Sequence, residues 1–176
     1  RGDDGVALGL VALPPRTPAN PLPFPALSVF QGDPSFASEA LTAYELGYRA
    51  WPTERLSLDV TAFYNDYDDL RALKQRNDLI ALEGGYLRVP FLFVNAQQGQ
   101  SHGFEIAANW QPAGGWRLQL AYSYLRVNLE NKPGFSNLLT VVRDGSQPRH
   151  QVSLLSSFDV RDDLEFDLWL RYVDEI

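Results

Sequence analysis

The chain has 176 residues, enough for one ordinary domain, and 45% of them are hydrophobic and 12% aromatic, yet the mean hydropathy is only -0.23. Apolar and polar residues are therefore finely interleaved, and no segment approaches the run of about 18 apolar residues that a membrane-spanning helix needs. With no cysteine there is neither a disulfide framework nor a thiolate metal site. A net charge of -7 argues against a nucleic-acid partner, which requires a clustered basic surface.

In chain order, the sequence opens on Arg1-Gly2-Asp3-Asp4 without the apolar core of a signal peptide. The stretch 14 to 25, PPRTPANPLPFP, is too dense in proline for a sheet interior and reads as an extended loop. A first strand is expected at 43 to 51, with Tyr44, Leu46, Tyr48 and Ala50 on one face and Glu45, Gly47, Arg49 and Trp51 on the other. Residues 56 to 65 split the same way, Leu56, Leu58, Val60, Ala62 and Tyr64 opposing Ser57, Asp59, Thr61, Phe63 and Asn65. Asn65-Asp66-Tyr67-Asp68-Asp69 carries alternating oxygen ligands that could suit calcium, but it lacks the glycine and distal glutamate of an EF-hand loop. The plain reading is a solvated loop entrance. Residues 69 to 84 have some helical spacing through Leu70, Leu73, Leu79 and Leu82, so a short helix is an expectation there.

Further along, 88 to 111 should run as one strand, with a bend near Gln98-Gly99-Gln100-Ser101. Within it Phe104, Ile106, Ala108 and Trp110 oppose Glu105, Ala107 and Asn109. Residues 116 to 124 oppose Trp116, Leu118, Leu120, Tyr122 and Tyr124 to Arg117, Gln119, Ala121 and Ser123. The last two strands, 152 to 158 and 164 to 172, place Leu154, Leu168 and Leu170 on the apolar face and Glu165, Asp167 and Arg171 on the other. Arg171 to Ile176 then stop inside an alternating run with no turn behind it, an ending expected of a chain cut within a larger sheet.

Alternation alone suits both a soluble sandwich and a spanning barrel. Three features favour the barrel. Tight connections at 52 to 55, 112 to 115 and 160 to 163 alternate with long ones at 14 to 42, 66 to 87 and 128 to 146, as on the two rims of an outer-membrane barrel. Aromatic residues gather at the ends of the apolar face, where membrane interfaces favour them. Strands of about 9 to 12 residues suit a tilted crossing of the hydrocarbon layer. The expected fold is thus all-β: an antiparallel up-and-down meander of about seven strands, an open curved segment of a large transmembrane β-barrel. In it Leu58, Val60, Ile106, Leu118, Leu120, Leu154, Leu168 and Leu170 would face lipid. Asp59, Glu105, Arg117, Glu165, Asp167 and Arg171 would face the lumen.

The stretch from Glu39 to Arg49, then LSLDVTAFYNDYDDL, then VNAQQGQSHGFEIAANWQPAGGWRLQLAYSYL, then QPRHQVSLLSSFDV, resembles consecutive barrel strands of a TonB-dependent receptor. The resemblance covers roughly residues 28 to 176. It implies a Gram-negative outer-membrane barrel that imports a scarce solute, such as a ferric siderophore or similar chelate, with outer-membrane lipid around it. It implies also an amino-terminal plug domain contacted by an inner-membrane energy-coupling protein; the plug and the final strands are absent from these 176 residues, which make up a partial barrel domain. The loops 14–42, 66–87 and 128–146 would then be extracellular. Within them Arg71, Lys74, Arg76 and Asn77 are candidates to contact an anionic chelate, with an ordinary charged loop as the alternative.

No catalytic, cofactor or metal site is expected. His102 and His150 are far apart in sequence, and neither has a carboxylate at a ligand spacing. Ser101, His102 and Glu105 lie within one short stretch with neither a nucleophile elbow nor an oxyanion loop. The alternative to a transporter segment is a soluble β-sandwich binding carbohydrate or protein, and an enzyme is the least supported class. The two leading readings differ in one observable: Leu58, Leu120, Leu154 and Leu168 are exposed on a single sheet in the first and buried between two sheets in the second.

Overall fold

The computed structural model describes residues 7–135, 138–139 and 147–175. Its strands are β1 (Ala7–Leu13), β2 (Ala26–Gln31), β3 (Ala40–Thr53), β4 (Leu56–Gln75), β5 (Ala81–Glu83), β6 (Tyr86–Ala113), β7 (Trp116–Asn131), β8 (Leu138–Leu139), β9 (His150–Arg161) and β10 (Leu164–Val173). All ten are hydrogen-bonded into one sheet. No α-helix occurs among the described residues.

The chain divides into two compact units, and β4, β6 and β7, with the first residue of β3, contribute to both. The first comprises Arg1–Ala40, Tyr67–Gln98 and Glu130–Val142; the second comprises Leu41–Asp66, Gly99–Leu129 and Arg143–Ile176.

The second unit contains the expected meander. Arg49 pairs with Asp59 and the Tyr44 ring lies 6.4 Å from that of Tyr64, so partner numbers fall along β4 as they rise along β3 and the two strands are antiparallel. The bonds of Asn109 to Ser57 and of Asn65 to Ser101 set β4 against β6 in the same sense. The register continues from β7 to β9, with Trp116 opposite Phe158 and Tyr124 opposite His150, and from β9 to β10. Tight turns join β3 to β4, β6 to β7 and β9 to β10. They gather at one end, where Gln111 N–H donates to the Arg55 carbonyl and Asp159 N–H to the Gly115 carbonyl. For this to hold, the chain from 88 to 111 must be one strand, and β6 is one strand.

Glycine carries that long strand past its neighbour. A Cβ at Gly103 would overlap the Tyr124 carbonyl oxygen and lie 2.7 Å from the Phe63 ring, and one at Gly99 would overlap the backbone at Asn128. Close backbone approach of this kind is the reason for glycine inside a strand. The Phe63 ring covers the bare backbone that Gly103 leaves.

The first unit departs from the sequence expectations. Residues 14 to 25 form compact turns instead of an extended loop, because Asn20 is buried and staples them. Its amide donates to the carbonyls of Leu13 (3.1 Å) and Phe24 (3.0 Å), and its oxygen accepts from the Leu22 N–H. β2 follows and runs parallel to β6, a pairing the alternation did not announce. The helical spacing of 69 to 84 gives only a single 3-10 turn at Asn77–Leu79. β4 instead continues to Gln75, its backbone held to β6 where Arg76 N–H meets the Pro90 carbonyl. Long-range pairing outweighs a weak local helical preference. A small core forms there from Ala72, Val94 and Ala96, with Leu92, Phe135 and Leu138 packed against it.

Candidate functional site: the two faces of one sheet

Because side chains alternate along a strand, the register of the second unit fixes two faces. One face has cross-strand rows reading Trp116, Phe158 and Phe166; then Leu118, Ser156 and Leu168; then Leu120, Leu154 and Leu170; then Tyr122, Val152 and Tyr172. Aromatic rows close both ends of an aliphatic band. From Trp116 to Tyr124 the band is about 26 Å long at roughly 3.3 Å per residue, close to the apolar height of about 25 Å in membrane barrels. No second sheet covers it among the described residues. Leu120, Leu168 and Leu170 are 41%, 48% and 53% exposed, while Leu58, Val60, Ile106, Leu118 and Leu154 are half-buried. A contiguous exposed apolar surface of this extent marks an interface with something apolar. The sandwich geometry, with these leucines buried between sheets, is not what the second unit has.

The opposite face carries the charges. Arg117 and Asp167 flank Ser157, Gln119 and Trp169 flank Leu155, and Ala121 and Arg171 flank Ser153. Arg49 donates to Asp59 at 2.7 Å, and Arg117 is paired with Glu165 and lies 3.5 Å from Asp159. So Asp59, Arg117 and Glu165 are held by mutual pairing, whereas Glu105, Asp167 and Arg171 are exposed with no ion pair among the described residues. Between them lies a groove of about 520 Å³ lined by Asp59, Glu105, Ala121, Ser153, Trp169 and Arg171. Trp169 was not singled out from the sequence. It is 69% exposed on the charged face, and its indole N–H donates to Ser153 Oγ at 2.9 Å. The one sequence signal was an aromatic residue at a polar phase of the alternation.

Arg71, Lys74, Arg76 and Asn77 belong to the first unit and do not converge. Arg71 lies 5.7 Å over the Phe93 ring, Lys74 lies 5.7 Å over the Phe135 ring, and Arg76 grips Asp78 with two bonds of 3.0 and 2.7 Å. Asn77 opens the 3-10 turn and is exposed. The Arg76 guanidinium holds the Asp78 carboxyl below the usual carboxylate range. Asp68 and Asp69, the residues with calcium-like spacing, instead hold a lysine: Lys132 Nζ lies 2.5 Å from Asp68 and 2.7 Å from Asp69. Hydrogen bonding to both carboxylates raises the Lys132 pKa, and the bond from Lys132 lowers that of Asp68. Ser101 is buried and bonded to Asn65, while His150 Nδ1 meets the Tyr122 hydroxyl at 2.9 Å, so the serine and the histidines are not arranged as a triad.

With this geometry in view, the sequence profile described as TonB dependent receptor-like, beta-barrel matches residues 15–175. No curated protein matches the chain. Among solved structures, the FrpB iron transporter from Neisseria meningitidis superposes with a TM-score of 0.65 at 17% identity, over 83% of this chain and 20% of that one. The siderophore receptor PirA from Acinetobacter baumannii gives 0.56 at 18% identity, over 82% and 21%. The pyoverdine receptor FpvA from Pseudomonas aeruginosa PAO1, bound to pyoverdine, gives 0.50 at 14% identity, over 77% and 21%. The chain spans about a fifth of each. At these identities the likeness is one of fold.

Proposed function

Since this chain belongs to the TonB dependent receptor-like β-barrel family, we propose that it forms part of the wall and outer loops of an outer-membrane receptor that takes up a scarce solute, a ferric siderophore or similar chelate. The observation that carries this reading is the exposed aliphatic band, bounded by aromatic rows, on one face of a single antiparallel sheet. Such a surface suits hydrocarbon, where every backbone group must be paired within the protein. In this reading Leu58, Val60, Ile106, Leu118, Leu120, Leu154, Leu168 and Leu170 face lipid, and Asp59, Glu105, Arg117, Glu165, Asp167 and Arg171 face the lumen.

Among the described residues β3 and β10 pair on one side only, and the other side of each accepts a further strand of the complete receptor. A plug domain, and through it the inner-membrane energy-coupling protein, are the partners that membership of the family assigns to the whole receptor. The chelate is proposed because the named relatives are an iron transporter, a siderophore receptor and a pyoverdine receptor, and because Arg71 and Lys74, expected in a loop but found in the last residues of strand β4, put two cations at that end of the strand. No catalytic role is assigned to any residue. The test is uptake of radiolabelled iron from a panel of ferric siderophores by cells whose only such receptor is the complete protein, with and without inner-membrane energy coupling. Coupling-dependent uptake of at least one chelate is expected. A receptor assembled in the outer membrane that neither binds nor imports any chelate would overturn the solute assignment.

A further inference from the structure

The apolar face of the second unit does not end evenly. At the end away from the tight turns, the rings of Phe104, Tyr122, Tyr124 and His150 form one cluster. Phe104 lies 5.6 Å from Tyr122, Tyr124 lies 5.2 Å from His150, and Tyr122 stacks on His150 at 6.2 Å. Immediately beyond it the face carries an arginine. Arg126 follows Tyr124 by two residues and so shares its face; it is exposed and paired with no acidic group among the described residues. β6 passes β7 with Gly103 against Tyr124. That places His102, on the same face as Phe104, level with the stretch from Tyr124 to Arg126. Both histidines of the protein thus flank one exposed arginine at the boundary of an aliphatic band, although 47 residues lie between them in the sequence.

We infer that this boundary binds the phosphate headgroup of an outer-leaflet lipid, with its acyl chains along the band beneath; the inference rests on the membrane-wall reading above. The match is one of charge and polarity together. A lipid phosphate offers an anion to Arg126 and acceptor oxygens to the two imidazoles, while its chains cover Ile106, Leu120, Leu154 and the aromatic rings. Arg126 supplies the permanent charge and a planar set of donors suited to phosphate. When the Tyr122 hydroxyl donates to Nδ1, His150 carries its proton on Nε2 and can donate as well. Asp174, whose N–H bonds the His150 carbonyl, is the acidic neighbour, and its carboxylate is already engaged by the Tyr172 hydroxyl at 3.3 Å. Asp66 is exposed on β4 at the same end, and its charge confines the anion to the side of β7.

The experiment uses the complete receptor in phosphatidylcholine vesicles, with spin-labelled phosphatidic acid and spin-labelled phosphatidylcholine as probes of the lipid held at the protein surface. The wild type is expected to prefer phosphatidic acid, and Arg126→Gln to lower that preference about five-fold. His102→Gln and His150→Gln are expected to lower it less. Arg117→Gln, the same charge change on the opposite face, is expected to leave it unchanged. Equal preference in wild type and Arg126→Gln overturns the inference while the immobilised lipid shell still supports the wall reading. No immobilised shell with either probe overturns both. Loss of the preference on adding inorganic phosphate, but not chloride of equal ionic strength, identifies a site for free anions and overturns the assignment to lipid.

Discussion

At the scale of single residues, the two faces make opposite predictions for one substitution. Leu120 and Ala121 are adjacent, yet the register assigns them to different faces. In the complete receptor Leu120→Arg should cost about 2 to 4 kcal/mol if the site lies near the bilayer midplane. Ala121→Arg, beside the groove, should cost far less. Urea unfolding in vesicles measures both, and equal destabilisation would contradict the assignment of faces. Gly103→Val is expected to be poorly tolerated for another reason. Its side chain must displace the Tyr124 backbone or the Phe63 ring, a clash of the size that costs about 1 to 3 kcal/mol in a packed interior; a folded variant with unchanged unfolding would show that β6 and β7 can separate freely there. The alternation in the sequence assigns Leu120 its face, but nothing in the sequence says that Gly103 passes under Phe63, because that contact joins residues on two strands.

Among the elements, the segment after β7 is tied down by Lys132. Its N–H donates to the Ala96 carbonyl at 2.8 Å and its ammonium bridges Asp68 and Asp69. These groups belong to the first unit and not to the unit that carries the apolar band. The pKa of Asp68 is lowered from 3.8, so its contribution is fully present above 3.8 and is lost as the pH falls through the lower value of the folded state. That of Lys132 is raised from 10.5, so its contribution is present below 10.5 and is lost as the pH rises through the higher folded value. The tie should therefore hold from about pH 4 to beyond pH 10. Hydrogen exchange at the Lys132 amide, corrected for the intrinsic pH dependence, should lose protection in acid, and Asp68→Asn should weaken protection at neutral pH. Protection that is flat down to pH 2 would show that the backbone bond alone orders the segment. From the sequence, the acidic run was legible as a charged loop entrance; its lysine partner, more than 60 residues on, was not.

At the scale of the whole molecule, the second unit exposes apolar side chains on β3 and β10 and, among the described residues, leaves one side of each strand unpaired. Neither water nor lipid satisfies both features at once, since water penalises the apolar face and lipid penalises the unpaired backbone. The isolated 176 residues are accordingly expected to show no cooperative thermal unfolding transition in detergent-free buffer. A sharp transition of a soluble monomer, followed by calorimetry, would sink that expectation.

The sequence by itself determined the strand periodicity, the two faces, the short turns and the family resemblance, because a period of two and the chemistry of turns are local properties of the chain. It determined Leu154 and Arg171 as residues of opposite faces for the same reason. Only the tertiary structure decided what depends on pairing between distant segments. That includes the parallel course of β2 against β6, the persistence of β4 through a stretch with helical spacing, and the compact turns around Asn20. It also includes the meeting of Lys132 with Asp68 and the gathering of His102, Arg126 and His150 at one boundary. In each case the energy lies in a register or a hydrogen bond between residues far apart along the chain, and local periodicity does not encode which strand will lie alongside.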